Sequence, residues 1–405
     1  MLHDLTVQNY RCFEDFHIDG LEQVNLFVGN NNSGKTSLLE AIYLLVTSNK
    51  EQALSETILN RIDFFNTSHK EYYTINNLFY DYETEIPFPG IVICHKNNGV
   101  GINIDRNQKS LVYFNLEAPD YPETKFLWKK IAKFNIGYGN DLDYDAVPSL
   151  TYQIRGYIAP QVDLIIKELS LSKGKGLEVA DSIIISAITY AKSNLSQNNF
   201  IIIEKNNLVL DPMSVVNYSS NNCFLFANKV DFNKLAFLWD SISLTTKEDL
   251  VIKSLQIIEK NTLKIDFPSS RNSNTIRIKL KNHPNPVPLS NMGEGMYRIL
   301  ALAMSLVTAE NGVLLVDEIE TGLHYEAQTN MWRLILETAK ELNVQVFATT
   351  HSWDCIAAFQ EALSQVEDKS IGKLFRLDNK YGEIRAVEYN AEDLDIAVRN
   401  SIEVR

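Results

Sequence analysis

The sequence has little of what marks a membrane-spanning, secreted or nucleic-acid-wrapping protein. No segment approaches eighteen uninterrupted apolar residues, so no transmembrane helix is expected. The N-terminus, Met1–Val7, lacks the basic and apolar regions of a signal peptide. Cys12, Cys94, Cys223 and Cys355 stand far apart, with no paired spacing for zinc or for a disulfide framework. Together these absences point to a cytoplasmic chain with reduced thiols. A net charge of −13 argues against a surface built mainly to neutralise phosphates, so any nucleic-acid site must be confined to a local basic patch. Internal repeats and sustained heptads are also missing, which argues against a solenoid and against a long coiled-coil arm.

What remains is an ordinary globular composition, 45% apolar and 22% charged, in a chain of 405 residues. That length exceeds one average core and implies one large domain or two linked ones. Leu5–Tyr10 alternates like a half-buried strand, and Val24–Val28 is an apolar strand ending at Gly29. Thr36–Val46 carries apolar residues at helical spacing. Strand-like runs at Tyr73–Tyr80, Gly90–Cys94 and Gly101–Asp105 suggest a β-rich lobe over residues 1–120. Residues 121–222 read as an inserted, partly helical module, with helices expected at Lys125–Phe134, Ile154–Leu169 and Val179–Leu195. Over residues 223–405 helices alternate with buried strands. Helices are expected at Glu248–Glu259, Met296–Ala309 and Tyr325–Leu342, and strands at Gly312–Val316 and Val344–Thr349. Such alternation implies an α/β layer with a parallel sheet.

Two motifs carry the chemistry. The first is Gly29-Asn30-Asn31-Asn32-Ser33-Gly34-Lys35-Thr36, between an apolar strand and a helix, which fills every position of a phosphate-binding loop. Its glycines let backbone N–H groups wrap a β-phosphate, and the helix adds its positive end. Lys35 is placed to reach the β- and γ-phosphates, Thr36 to offer its hydroxyl to Mg²⁺, and Ser37 follows in the same first turn. The second motif is Val313–Val316, an apolar strand ending in Asp317 and Glu318. Asp317 is assigned to the metal and Glu318 to the attacking water. The expected ligands are therefore ATP and Mg²⁺.

Two weaker features set the subclass. Ser290 and Gly293 lie at the start of a helix just upstream of that acidic strand; alone they would read as a helix cap. His351 follows the buried strand ending at Thr349, at the end of the sheet where α/β proteins bind ligands.

With these residues together, the chain resembles the ABC-type ATPases of the SMC and RecF group, and within them the short ATPases related to the OLD family. The resemblance rests on Asn9–Phe13, Gly29–Thr36, Leu238–Thr245, Pro288–Gly295, Val316–His324 and Ala348–Ser352, covering roughly the first 50 residues and the last 170. It implies a P-loop fold of ABC-ATPase type with a β-rich N-terminal lobe and a partly helical insertion. It further implies that Glu318 is the catalytic glutamate and His351 the switch histidine. Ser290 and Gly293 would cap the γ-phosphate of an opposite subunit, and Glu320–His324 would form the loop that crosses a dimer interface. The signature Leu289-Ser-Asn-Met-Gly-Glu-Gly295 is one residue longer than the usual form. A cap supplied from a second copy requires an isologous homodimer or a larger homo-oligomer.

Other readings compete. Asn228–Asp231 spells a guanine-reading motif, but no switch Asp-x-x-Gly is convincingly placed between it and the phosphate loop. Asp393-Leu-Asp395 has the spelling of a nuclease metal pair, with only ten residues after it. Asp141–Asp145 fails as a calcium loop because its sixth position is Ala146. A transporter subunit is disfavoured by the family-specific motifs. Two roles are carried forward: a regulatory ATPase serving a separate effector, such as a nuclease in phage defence, and a RecF-like DNA-binding ATPase in repair. For the second, the candidate contacts are Lys125, Lys129, Lys130 and Lys133 and the run Arg277-Ile-Lys279-Leu-Lys281. Arg11 is a further candidate for the nucleotide, with a surface position as its alternative.

Overall fold

A computed structural model describes residues 1–48, 91–95, 98–105, 110–117, 127–135, 201–204, 207–210, 221–227, 232–267, 275–380 and 382–405, with a few single positions between 53 and 80. The chain opens with β1 (Asp4–Tyr10), β2 (Phe13–Asp19) and β3 (Val24–Val28), then helix α1 (Lys35–Val46). β4 (Ile91–His95), β5 (Asn98–Asp105), β6 (Ser110–Glu117) and β7 (Leu127–Asn135) follow, then a hairpin of β8 (Ile201–Glu204) and β9 (Asn207–Leu210). Next come β10 (Asn222–Leu225), α2 (Phe232–Ile242) and α3 (Thr246–Leu255). A small sheet of β11 (Thr262–Asp266), β12 (Arg277–Leu280) and β13 (Val287–Pro288) leads into α4 (Glu294–Thr308). The chain then alternates through β14 (Val313–Val316), α5 (Tyr325–Glu341), β15 (Gln345–Thr349), α6 (Trp353–Gln365), β16 (Gly372–Lys380), β17 (Glu383–Tyr389) and α7 (Ala391–Arg399).

The central sheet runs β10-β14-β15-β3-β16-β17; its first five strands are parallel and β17 is antiparallel. A strand covered on both faces must be apolar on both, and β3, β14 and β15 are buried at every position. Their side chains alternate between two cores. Val24, Leu26, Val28, Leu314, Val316, Val346 and Ala348 join α4, α5 and α6 on one face. Phe27, Leu315, Phe347 and Phe375 join α1, β1, β2 and β4 on the other. Phe27 packs 6.2 Å from Phe347 and 5.7 Å from Phe375, ring to ring. Each such burial contributes about 1.5–3 kcal/mol. Asn25, the one polar residue of β3, is satisfied by donating to Glu22 O at 2.7 Å and accepting from Glu22 N at 2.8 Å.

The second sheet is antiparallel, in the order β2-β1-β4-β5-β6-β7. One expectation fails here: Lys125–Phe134 is not a helix, because Leu127–Asn135 is a strand paired along its length with β6. Lysines spaced by three and four share a helical face but not a strand face, where the period is two. The strand pairing therefore continues past residue 120. The helices expected at 154–169 and 179–195 and the strand at 73–80 lie outside the described residues, apart from Leu78 and Tyr80. Elsewhere the expected elements are found with no end displaced by more than four residues.

Candidate nucleotide site

The strand order decides where the site forms. β15 lies between β3 and β14, so the loops after all three parallel strands open at one edge of the sheet. The phosphate-loop pattern is the turn from β3 into α1. Gly29 has φ 144°, and a Cβ there would sit 2.5 Å from Leu377 O of β16. Gly34 has φ 90°, and a Cβ there would meet Cys12 Sγ at 2.8 Å and Phe13 Cζ at 2.9 Å. Asn32 also takes a left-handed φ of 61°. Only glycine fits the two outer positions without displacing neighbours. Gly34 caps α1 with no side-chain hydrogen bond, and no acidic residue occupies the first turn. The helix thus presents open N–H groups and its positive end to the loop.

Lys35 is 5% exposed, and its Nζ donates to Gly29 O at 2.8 Å and Asn30 O at 2.9 Å. Burial lowers its pKa to about 8, against the pull of Asp317, Glu318 and Glu320, which favour the charged form. Thr36 Oγ1 donates to both carboxylate oxygens of Asp317 at 3.1 Å, joining the two motifs across 281 positions of chain. Ser33 and Ser37 are buried beside them, while Asn30 and Asn31 are exposed on the loop.

Asp317 has its pKa raised by burial, opposed by hydrogen bonds from Thr349 and Thr36. Thr349 serves both acids: its Oγ1 donates to Asp317 Oδ1 at 2.7 Å and accepts from Glu318 N at 2.8 Å. Glu318 has φ 47°, a strained backbone for a non-glycine residue that costs on the order of 1 kcal/mol. That turn lifts its side chain from the strand end into a half-buried position, where Thr321 Oγ1 donates to Oε2 at 3.4 Å. His351 is half-buried at the end of β15, and its backbone N–H donates to Glu320 Oε1 at 3.0 Å.

Arg298 was not anticipated. It is 3% exposed, and its guanidinium donates to Phe226 O at 2.7 Å, Asp317 O at 2.7 Å and Glu318 O at 3.1 Å. Burial lowers its pKa, while Asp317, Glu320, Glu318 and Glu294 act the other way. A cation inside the largely apolar Met296–Val307 run was the available signal.

Ser290 and Gly293 occupy the tip of α4 and are exposed. The signature's additional residue is absorbed in a 3-10 turn, Leu289–Met292, before Gly293 turns at φ 88° into α4. A Cβ on Gly295 would lie 2.7 Å from Gly322 O, so the loop after Glu318 packs on this tip. Ser290 Oγ is 3.5 Å from Asn291 Oδ1, and among the described residues no hydrogen bond joins it to the phosphate loop of its own chain.

The remaining candidates are placed as follows. Arg11 is not a surface residue: its Nε is 2.6 Å from Glu40 Oε2, with both side chains nearly fully buried. Arg277 Nε donates to Asp266 at 2.8 Å, and Lys279 Nζ to the carbonyls of His283 and Pro284 at 2.8 Å. Asp393 and Asp395 lie on α7 rather than in a turn. The Asp393 N–H bonds the Asn390 cap, and Asp395 bonds Gln360. Asn228–Asp231 and Asp141–Asp145 lie outside the described residues. Among the described residues no cluster of three or more His, Cys, Asp or Glu could hold a metal, and no helix is long and apolar enough to cross a membrane.

A family model described as an AAA ATPase domain matches residues 1–207 and 232–356. The chain belongs to this family. It is an ATPase with a mixed α/β P-loop fold. A Helicobacter pylori protein named ATP/GTP phosphatase is 22% identical over 99% of this chain and 98% of its own length. The DNA replication and repair protein RecF of Streptococcus pneumoniae is 24% identical over 90% of this chain and 96% of its own. A solved SMC head bound to the winged-helix domain of ScpA aligns at a TM-score of 0.48 with 11% identity, covering 98% of this chain and 99% of that one.

Proposed function

We propose that this ATPase closes two copies of itself around ATP and Mg²⁺ and acts as a regulatory engine for a separate effector. The observation that carries the reading is the split between a finished half-site and an exposed cap. Thr36 and Asp317 already meet at 3.1 Å, whereas Ser290 and Gly293 stand at the exposed tip of α4. A cap facing outward fits a phosphate held by a second copy, which makes the dimer isologous.

The Thr36 hydroxyl and the Asp317 carboxylate are hard oxygen donors of the kind Mg²⁺ prefers, and they would hold it together with the phosphates and water. Bound there, Mg²⁺ would neutralise charge on the β- and γ-phosphate oxygens. Gly29, Asn30, Asn31, Asn32, Ser33, Gly34 and Ser37 line the cradle, and Lys35 brings a positive charge to the phosphates. Glu318 orients and deprotonates water for in-line attack, and His351 approaches the transferred phosphoryl group. The division 1–120, 121–222 and 223–405 remains a proposal, with the strand Leu127–Asn135 joined to the N-terminal lobe through its pairing with β6.

Lys35 gives this reading a pH signature. Its ammonium is present below about pH 8 and lost above it, so ATP affinity should be flat from pH 7 to about 8 and then fall. The decline should be roughly tenfold per unit, since one proton is required for binding. Fluorescent-nucleotide titration of wild type and Lys35→Met checks this, the variant binding weakly and without that pH dependence. A flat wild-type profile to pH 9.5 would mean that burial does not lower the Lys35 pKa in the free protein, and weak binding by Lys35→Met would then carry the assignment alone.

The effector reading follows the resemblance to OLD-related ATPases, with a nuclease in phage defence as the candidate partner and the cytoplasm as the compartment. The second reading is a DNA-binding ATPase in repair, favoured by the similarity to RecF. Against it stand the acidic balance and the engagement of Arg277 and Lys279 within their own hairpin. Duplex DNA binding measured across about 50–300 mM salt separates the two. No binding is expected near physiological ionic strength. Binding whose logarithm falls linearly with log salt would favour the repair reading.

A further inference from the structure

The loop after Glu318 is assigned by resemblance to an interface with a second copy, yet its first acidic residue turns inward. Glu320 Oε1 accepts the backbone N–H of His351 at 3.0 Å. Its other oxygen, Oε2, is buried without a hydrogen-bond partner among the described residues. A buried carboxylate oxygen left unbonded is destabilising, so stability alone does not account for this placement. On the opposite side, Arg405 Nη1 donates to the carbonyl of His351 at 3.2 Å. Arg405 is itself oriented by Glu403, whose Oε1 is 2.8 Å from Nε and whose Oε2 is 3.0 Å from Nη2. Between them Val404 is fully buried in the core shared with α4–α6, which fixes the tail beside β15.

We infer that Glu320 and Arg405 are positioning residues for ATP hydrolysis, holding the peptide groups of His351 from both sides and thereby aiming its imidazole. An acceptor on the N–H and a donor on the C=O fix the two peptide planes that flank the His351 Cα. With both planes fixed, the ring direction depends on χ1 and χ2 alone. Thr350 and Ser352 add to the restraint, because Ser352 N donates to Thr350 Oγ1 at 3.0 Å and Ser352 Oγ caps α6. Catalysis is sensitive to such aim, since displacement of a catalytic group by about 1 Å costs on the order of a hundredfold. Glu403, Val404 and Arg405 thus belong to the apparatus that positions His351.

The inference rests on the assignment of His351 to the reaction, and a double-mutant cycle in steady-state ATPase assays separates the two. Glu320→Ala is expected to lower kcat about 10–100-fold and Arg405→Ala about 3–10-fold, each with KM changed less than about threefold. Glu320→Gln keeps an acceptor oxygen for the His351 N–H and should recover most of the rate. Arg405→Lys keeps a donor and should recover part of it. In a His351→Ala background both alanine substitutions should lose their effect, because the group they aim is gone. Undiminished losses in that background would assign Glu320 and Arg405 to general stability and overturn the inference. So would full activity of Glu320→Ala. If His351→Ala itself leaves kcat unchanged, the assignment of His351 falls first and the inference with it.

Discussion

Replacing Glu318 by glutamine is expected to lower the rate of ATP hydrolysis by about 10²–10⁴-fold while leaving ATP binding intact. Glutamine keeps the size and an acceptor oxygen but cannot take a proton from water. The φ of 47° at this position is a backbone property, and Glu318 N stays bonded to Thr349 Oγ1, so the fold should be undisturbed. A protein that closes around ATP and opens on hydrolysis should then accumulate in its closed form. Light scattering of the variant with Mg-ATP should show the 46.1 kDa chain at twice its mass or more. Adding Ser290→Arg places a bulky cation at the exposed tip of α4 and should abolish that rise. A monomer at saturating ATP would sink the two-copy arrangement.

The second large effect is expected at Arg298, and it should appear in stability as well as rate. Arg298→Met preserves much of the buried volume but removes three hydrogen bonds at once. The carbonyls of Phe226, Asp317 and Glu318 lose that donor. Leaving a buried acceptor without its partner costs about 1–3 kcal/mol. The midpoint of thermal unfolding should therefore drop clearly below that of Glu318→Gln. Hydrolysis should fall as well, because the Asp317 and Glu318 carbonyls define the turn that orients both carboxylates. An unfolding midpoint equal to wild type would mean that the β14 turn holds itself without the arginine.

The phosphate loop and the acidic strand were legible because their chemistry is local. Glycines at Gly29 and Gly34 are dictated by backbone angles within the loop itself, and β14 is apolar because both its faces are covered. The helices around Met296–Ala309 and Tyr325–Leu342 were legible for a similar reason, each carrying its own apolar periodicity. What escaped is held together across long stretches of chain. Thr349 sits in a quoted motif, but its double role depends on β15 lying beside β14. Arg11 meets Glu40 only because the β1–β2 turn folds over α1, and no spacing along the chain announces that pair. The strand Leu127–Asn135 was misread because lysine at three- and four-residue intervals imitates a helical face, while its pairing with β6 prevails.

The packing behind Gly34 has one more consequence. Cys12 and Phe13 fill the space where a side chain at Gly34 would go, and Leu377 O closes on Gly29 from the other side. The phosphate loop is therefore wedged between the turn of the antiparallel sheet and a strand of the parallel one, and its curvature is set when the two sheets pack. The conformational entropy of that curvature is lost on folding rather than on nucleotide binding. The β-rich lobe is thus a preorganising brace: loosening the β1–β2 turn should weaken nucleotide capture and leave the subsequent chemistry almost untouched.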